Sequence, residues 1–195
     1  MGSPLSYQCT SYLEQRNNIP EDLVSRAGQG DGDAQAWLYQ QYSKAMFNIC
    51  IRMTGNRANA EDVLQDAFLL AFKNLRQLKE PVNFGGWLRR IVVNESIRYA
   101  KRSFNWKELE DEYPDSLDDD ATSWCANISL DLIHQEIKNL PEGYRQVFVL
   151  YVLEDYSHGD IARSLGISES TSKSQYHRAR RLLRDRITQQ TSVNG

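Results

Sequence analysis

Six cations crowd one stretch near the C-terminus: Lys173, Arg178, Arg180, Arg181, Arg184 and Arg186. Guanidinium and ammonium groups at this density neutralise phosphates and release their counterions, which supplies sequence-independent affinity for nucleic acid. A second constellation combines bases and aromatics: Phe84, Trp87, Arg89, Arg90, Asn94, Arg98, Tyr99, Lys101 and Arg102. Arg89, Arg90 and Arg98 can neutralise phosphates. The amide of Asn94 offers both a donor and an acceptor to a base edge. A third group is acidic and amide-bearing: Glu61, Asp62, Gln65 and Asp66, with Lys73 beyond. It lies opposite Val63, Leu64, Phe68 and Phe72, so it forms the polar face of an amphipathic helix.

The elements that must carry the C-terminal cations are legible over residues 157–187. Ser157 can cap a helix, with Asp160 three residues on as a weak capping-box match. Ile161, Ala162 and Leu165 give that helix one apolar face. Gly166 falls where the chain must turn sharply, and glycine accepts left-handed dihedrals cheaply. Ser168 can then cap a second helix running from about Glu169 to Ile187. This is the spacing of a helix-turn-helix, whose second helix enters the DNA major groove. Thr171, Lys173 and Ser174 occupy its first turns, where base contacts are made, and His177 and Arg178 lie one turn on.

Bulk charge points the other way. The chain has 195 residues and a formal net charge of −3. Counted by segment, residues 1–102 hold 13 Lys+Arg against 10 Asp+Glu, 103–127 hold 1 against 8, and 128–195 hold 9 against 8. Local sign, not the net value, decides what a basic helix can touch.

No run approaches 18 apolar residues, so no membrane span is expected. The N-terminus lacks the charged and apolar regions of a signal peptide. Cys9, Cys50 and Cys125 stand far apart without CxxC or Cys/His spacing, which speaks against a disulfide framework or a zinc site. The expectation is a cytoplasmic protein without membrane insertion, metal or cofactor. Glu61, Asp62 and Asp66 lack the Glu-x-x-His pattern that bundle metal sites use.

Strict two-residue alternation persists nowhere, so the expected fold class is all-α. Residues 19–28 read as a short helix closed by Gly-Gln-Gly-Asp-Gly. Asp33 is the expected cap of the next, with Trp37, Leu38, Tyr42, Met46, Phe47 and Ile51 spaced for a core face. Gly55-Asn56 breaks it. Asn59 or Ala60 opens a third helix bearing Val63, Leu64, Ala67, Phe68, Leu70, Ala71, Phe72 and Leu75. Pro81 and Gly85-Gly86 surround a loop. A fourth helix carries Trp87, Leu88, Ile91, Val92 and Ile97. The stretch 103–127, with Pro114 and a triple Asp at 118–120, cannot easily bury a core and reads as a flexible linker. Helices near 129–140 and 142–153 follow, with Pro141 at a first-turn position.

Three motifs then carry a resemblance: NAEDVLQDAFLLAFKNL, NFGGWLRRIVVNESIRYAKR, and LPEGYRQVFVLYVLEDYSHGDIARSLGISESTSKSQYHRARRLL. In this order they resemble the signatures of extracytoplasmic-function (ECF) sigma factors of the sigma-70 family, small two-domain subunits that direct bacterial RNA polymerase to promoters. The resemblance covers 19–102 and 129–187. It implies a region 2 bundle over 19–102 and a region 4 helix-turn-helix over 128–188. An N-terminal extension (1–18), the acidic linker (103–127) and a tail (189–195) complete the chain.

The resemblance also implies roles. Asp62, Gln65 and Asp66 match the helix that docks on a coiled coil of the polymerase β′ subunit. The β flap is the expected partner of region 4. Asn94, with Trp87, Arg89, Arg90 and Arg98 on its helix and Asn74 and Leu78 nearby, matches the site that captures a flipped base of the single-stranded −10 element. The 79–83 loop would close that site. Thr171, Lys173, Ser174, His177, Arg178 and Arg181 match the surface that reads the −35 duplex. An anti-sigma factor or another recruiting protein is a further expected partner. The acidic linker is expected to thread near the polymerase active-site channel.

Three positions depart from the family pattern. Ser170 replaces a common glycine, Ser172 an aliphatic residue, and Gln175 a usually basic residue that could contact phosphate. One alternative is a helix-turn-helix regulator binding duplex DNA without being a polymerase subunit, but 1–102 lacks the alternating strands of a receiver domain. A helical-bundle enzyme is the other, but no nucleophile–base or metal constellation is evident, and no catalytic residue is assigned.

Overall fold

The structure is a computed structural model that describes residues 21–106 and 130–193. The N-terminal extension and most of the acidic linker lie outside the described residues, as do Cys9 and Cys125. The described residues are helical and contain no strand, in two units divided between Ala100 and Lys101.

Unit 1 holds α1 (Glu21–Gly28), α2 (Gly32–Thr54), α3 (Arg57–Asn74), two 3₁₀ turns (Leu75–Gln77 and Pro81–Asn83) and the bulk of α4 (Phe84–Ser103). Asp31, not Asp33, caps α2: its carboxylate accepts from the Asp33 and Ala34 amides. Arg26 holds that carboxylate at 2.7 Å. The Ala34 amide and Arg26 together keep the Asp31 carboxyl below the usual range. Gly55 ends α2 in the left-handed region (φ 68°), a conformation that costs glycine little. Asn56, rather than Asn59 or Ala60, caps α3 through Asn59 N–H.

Leu38, Met46, Met53, Phe84 and Leu88 are fully buried and interdigitate with Leu64, Ala67 and Ala71 to form the core. Leu70, expected inside, is 37 % exposed; it sits at the edge of the Val63–Ala67–Ala71 stripe. Gly85 and Gly86, expected to bound the loop, do so from within a helix. They occupy the first turn of α4, and a Cβ on Gly85 would lie 3.0 Å from the Tyr42 ring. A side chain there would therefore push on the Tyr42 ring where α4 approaches α2.

Unit 2 holds α5 (Leu130–Lys138), α6 (Glu142–Phe148), a π turn (Val149–Leu153), α7 (His158–Leu165) and α8 (Glu169–Val193). Pro141 stands one residue before α6, at its cap. The expected single helix over 142–153 instead widens after Phe148, with Glu154 N–H donating to Val149 O at 3.1 Å. Ile133, Ile137, Val147, Leu150, Ile161, Leu165, Ala179, Leu183 and Ile187 form the core.

Gln175 lies in that core, 1 % exposed, and neither of its amide atoms has a hydrogen-bond partner among the described residues. An unpaired buried polar group costs about 1–3 kcal/mol. Gln175→Met, close in volume, is expected to stabilise unit 2 by about 1 kcal/mol, or about 4–8 °C in Tm for a domain of this size. Calorimetry of the two full-length chains checks it; an unchanged or lower Tm would refute the assignment.

Candidate polymerase and promoter interfaces

The helix-turn-helix is built by its caps. Ser157 Oγ accepts from Asp160 N–H at 3.1 Å, and Asp160 accepts in return from Ser157 N–H at 3.3 Å, a full capping box. The Ser157 hydroxyl, hydrogen-bonded to Asp160, is the main cause that keeps the Asp160 carboxyl below the usual range. Gly166 turns the chain at φ 76°. Ser168 Oγ accepts from Thr171 N–H at 2.9 Å and opens α8.

On α8 the exposed side carries Ser170, Lys173, Arg181 and Arg184, with His177 and Arg178 half-buried on its flanks. Lys173 is paired with Glu169 at 3.2 Å, and Asp185 lies 4.0 Å from Arg181 and 3.8 Å from Arg184. These exposed pairs are worth about 0–1 kcal/mol each, so a phosphate can displace them.

Thr171 and Ser174 do not belong to this surface. Thr171 is 6 % exposed, with its hydroxyl 2.8 Å from Ser168 Oγ, and Ser174 is fully buried and donates to Thr171 O at 2.9 Å. Both hydroxyls serve the helix start, which removes them from the base-reading set. Gln175 is likewise turned inward, so its exchange for a basic residue has no bearing on phosphate contact in this conformation. Ser172, fully buried, has its hydroxyl 2.9 Å from His158 Nδ1.

Burial pushes the His158 imidazole below its usual value, helped by Lys173 and His177 and opposed by Glu169. A histidine depressed in the folded state favours folding above its unfolded value, about 6.5, and loses that contribution as pH falls through the folded value. Unit 2 is therefore expected to lose Tm as pH falls below about 6.5, with a shallower loss in His158→Phe. Parallel slopes for the two chains would contradict this.

In unit 1, Arg90, Asn94 and Arg98 are exposed along one face of α4. Trp87 begins the same face, half-buried against Phe84 with centroids 6.1 Å apart. Arg89 is half-buried on the flank. The Asn94 amide is unpaired among the described residues. Asn74 instead donates to Leu70 O at 2.9 Å and accepts from Gln77 at 3.2 Å, so its amide is engaged locally. Leu78 is half-buried between the two 3₁₀ turns. Val82, in the second turn, is 59 % exposed.

Asp62, Gln65 and Asp66 are all exposed on α3. Asp66 lies 3.8 Å from Arg98, which also pairs with the buried Glu95. Leu69, one turn on, is 61 % exposed, and Tyr39 beside Phe68 is 44 % exposed. Leu69 follows Asp66 by three residues and Asp62 by seven, which puts it on their face of the helix. Among the described residues no helix is long and apolar enough to cross a membrane.

Two family models match the chain: sigma-70 region 2 over residues 38–104 and sigma-70 region 4 over 130–183. The ECF RNA polymerase sigma factor SigW of Bacillus subtilis is 31% identical over 176 residues, covering 84% of this chain and 94% of that protein. This chain belongs to the ECF sigma factors. The sigma factor is also 30% identical to SigM of Mycobacterium tuberculosis, across 82% of its own length and 80% of the relative's. Among solved structures, CnrH in complex with the cytosolic domain of CnrY aligns with 86% of the chain and 96% of that structure, at 24% identity and a TM-score of 0.45. The region 2 match lies mostly within the unit bearing the Asp62–Asp66 and Arg90–Asn94–Arg98 faces, and the region 4 match runs from α5 into the recognition helix of the helix-turn-helix.

Proposed function

We propose that this sigma factor docks on the polymerase β′ coiled coil through Asp62, Gln65 and Asp66, captures the opened −10 strand on the Arg90–Asn94–Arg98 face, and reads −35 duplex with Lys173, His177, Arg178 and Arg181. The observation that carries this reading is the separation of an unpaired, exposed amide on one unit from a basic recognition helix on the other. Single-stranded bases are read on edges that duplex hides, whereas a helix reads the major groove. Sigma factors are initiation subunits without catalysis of their own, and the polymerase supplies the chemistry. The β flap is the region 4 partner, and the cytoplasm is the site of action. An anti-sigma factor or another recruiting protein would act by covering or delivering these surfaces.

Reconstitution of the full chain with core polymerase, followed by mapping of transcript 5′ ends, tests the proposal. Chain-dependent starts are expected at promoters sharing −10 and −35 elements. Duplex binding without any chain-dependent start would favour a regulator that is not a polymerase subunit.

Within region 4 the contacts divide. Lys173→Ala or His177→Ala is expected to lower selectivity by about 1–3 kcal/mol at individual base pairs. Arg181→Ala or Arg184→Ala should weaken binding evenly, because phosphate contacts position and base contacts specify. Equal losses from all four on promoter and scrambled −35 DNA would reject base reading by α8.

A further inference from the structure

His158, at the start of α7, touches two residues of the recognition helix at once. Its Nδ1 lies 2.9 Å from the hydroxyl of Ser172. Its ring stacks on Tyr151 of the π turn, with centroids 4.2 Å apart and planes 13° apart. The same ring meets Tyr176 edge-on at 5.7 Å. Tyr176 is further held by Tyr151 at 4.7 Å and by Phe148 at 6.1 Å, nearly parallel.

The order along α8 gives these contacts their meaning. Ser172 directly precedes Lys173, and Tyr176 directly precedes His177. Lys173 and His177, the two side chains whose loss is expected to lower selectivity, thus each follow an anchored residue, and His158 joins the two anchors. Apolar packing at position 172 would hold the helix by buried area, which has no preferred direction. The hydrogen bond to Ser172 and the edge-on ring contact with Tyr176 are directional, and they restrict rotation of α8 about its axis. Ser172 is fully buried, so its hydroxyl needs a partner, and His158 supplies it. Tyr151 sits in a π turn, an irregularity that recurs at functional sites.

We infer that His158 is a positioning residue for −35 recognition: through Ser172 and Tyr176 it sets the rotation of the recognition helix, and with it the base edges that Lys173 and His177 reach. This rests on the reading of region 4 as the −35 domain. It extends that reading to a specificity determinant that lies off the recognition helix.

The test uses full-length wild type, Ser172→Ala, His158→Phe and the double variant, each reconstituted with core polymerase. Transcription is measured on a promoter library with a fixed −10 element and a randomised −35 element. Ser172→Ala and His158→Phe are each expected to change the −35 preference profile, lowering discrimination at one or two positions by about tenfold. The double variant should change it by less than the two effects combined, because both act through one contact. Ser172→Ala removes only a hydroxyl, so it carries the test alone if His158→Phe fails to fold. Wild-type profiles in the single variants, with or without a lower Tm, would overturn the proposal and leave −35 reading standing. A wild type indifferent to the −35 sequence would overturn both.

Discussion

Replacing Asp62 and Asp66 together by lysine is expected to remove binding to core polymerase and leave region 2 folded. Both carboxylates are exposed, and exposed substitutions usually change stability by less than about 0.5 kcal/mol. Close charge pairs across an interface carry about 1.5–7 kcal/mol each, and reversal adds repulsion, so two such pairs imply an affinity loss of at least about a hundredfold. Asp66 needs a control, because Arg98 lies 3.8 Å away and would face a like charge. Asp66→Asn removes the carboxylate without creating that repulsion. Leu69→Asp, at a site 61 % exposed, probes the apolar part of the same stripe. A pull-down titration against core polymerase, paired with thermal melts, gives the answer. Unchanged affinity with unchanged melts would move docking to another face.

The second large effect is expected at Asn94. Asn94→Ala should leave polymerase binding intact and slow opening of the −10 element. Extruding a base costs a few kcal/mol of stacking and pairing, which its pocket must offset. An amide making two hydrogen bonds contributes about 1–3 kcal/mol of that offset, a factor of about 5 to 150 in opening. The segment proposed to close the pocket, 79–83, ends in the Pro81–Asn83 turn, with Val82 exposed on it. The defect should shrink on templates with a pre-melted −10 bubble and should alter preference at one base position. Permanganate footprinting of duplex and bubble templates separates the outcomes; wild-type opening with unchanged base preference would make Asn94 a surface amide and nothing more.

The helix-turn-helix was legible because its signals are local: Ser157, Gly166 and Ser168 each act within four residues of themselves. The family followed from three ordered motifs. The inner boundaries were less legible. Asp31 and Asp33 are equivalent as sequence; in the structure it is Asp31 that accepts from the Asp33 and Ala34 amides and from Arg26. Paired glycines read as a loop boundary, whereas Gly85 answers to Tyr42, more than forty residues away. Thr171 and Ser174 were assigned to DNA because small polar residues near a helix start suit both capping and base contact. Counting back in fours from Leu183 through Ala179 and Gln175 reaches Thr171, so the core register held the answer. Nothing local announces the π turn at Val149–Leu153, since a widened turn depends on what packs around it.

Gly85 and Gly86 are neighbours with opposite fates under random mutagenesis. A methyl group at Gly85 would press on Tyr42 at 3.0 Å, so the ring would have to give by a few tenths of an ångström. A methyl group at Gly86 would meet nothing within 4 Å. A saturation library selected for folded chains should therefore stay close to glycine at 85 and diversify at 86. Alanine should be enriched at 86, because glycine inside a helix is less favourable than alanine by about 0.5–1 kcal/mol.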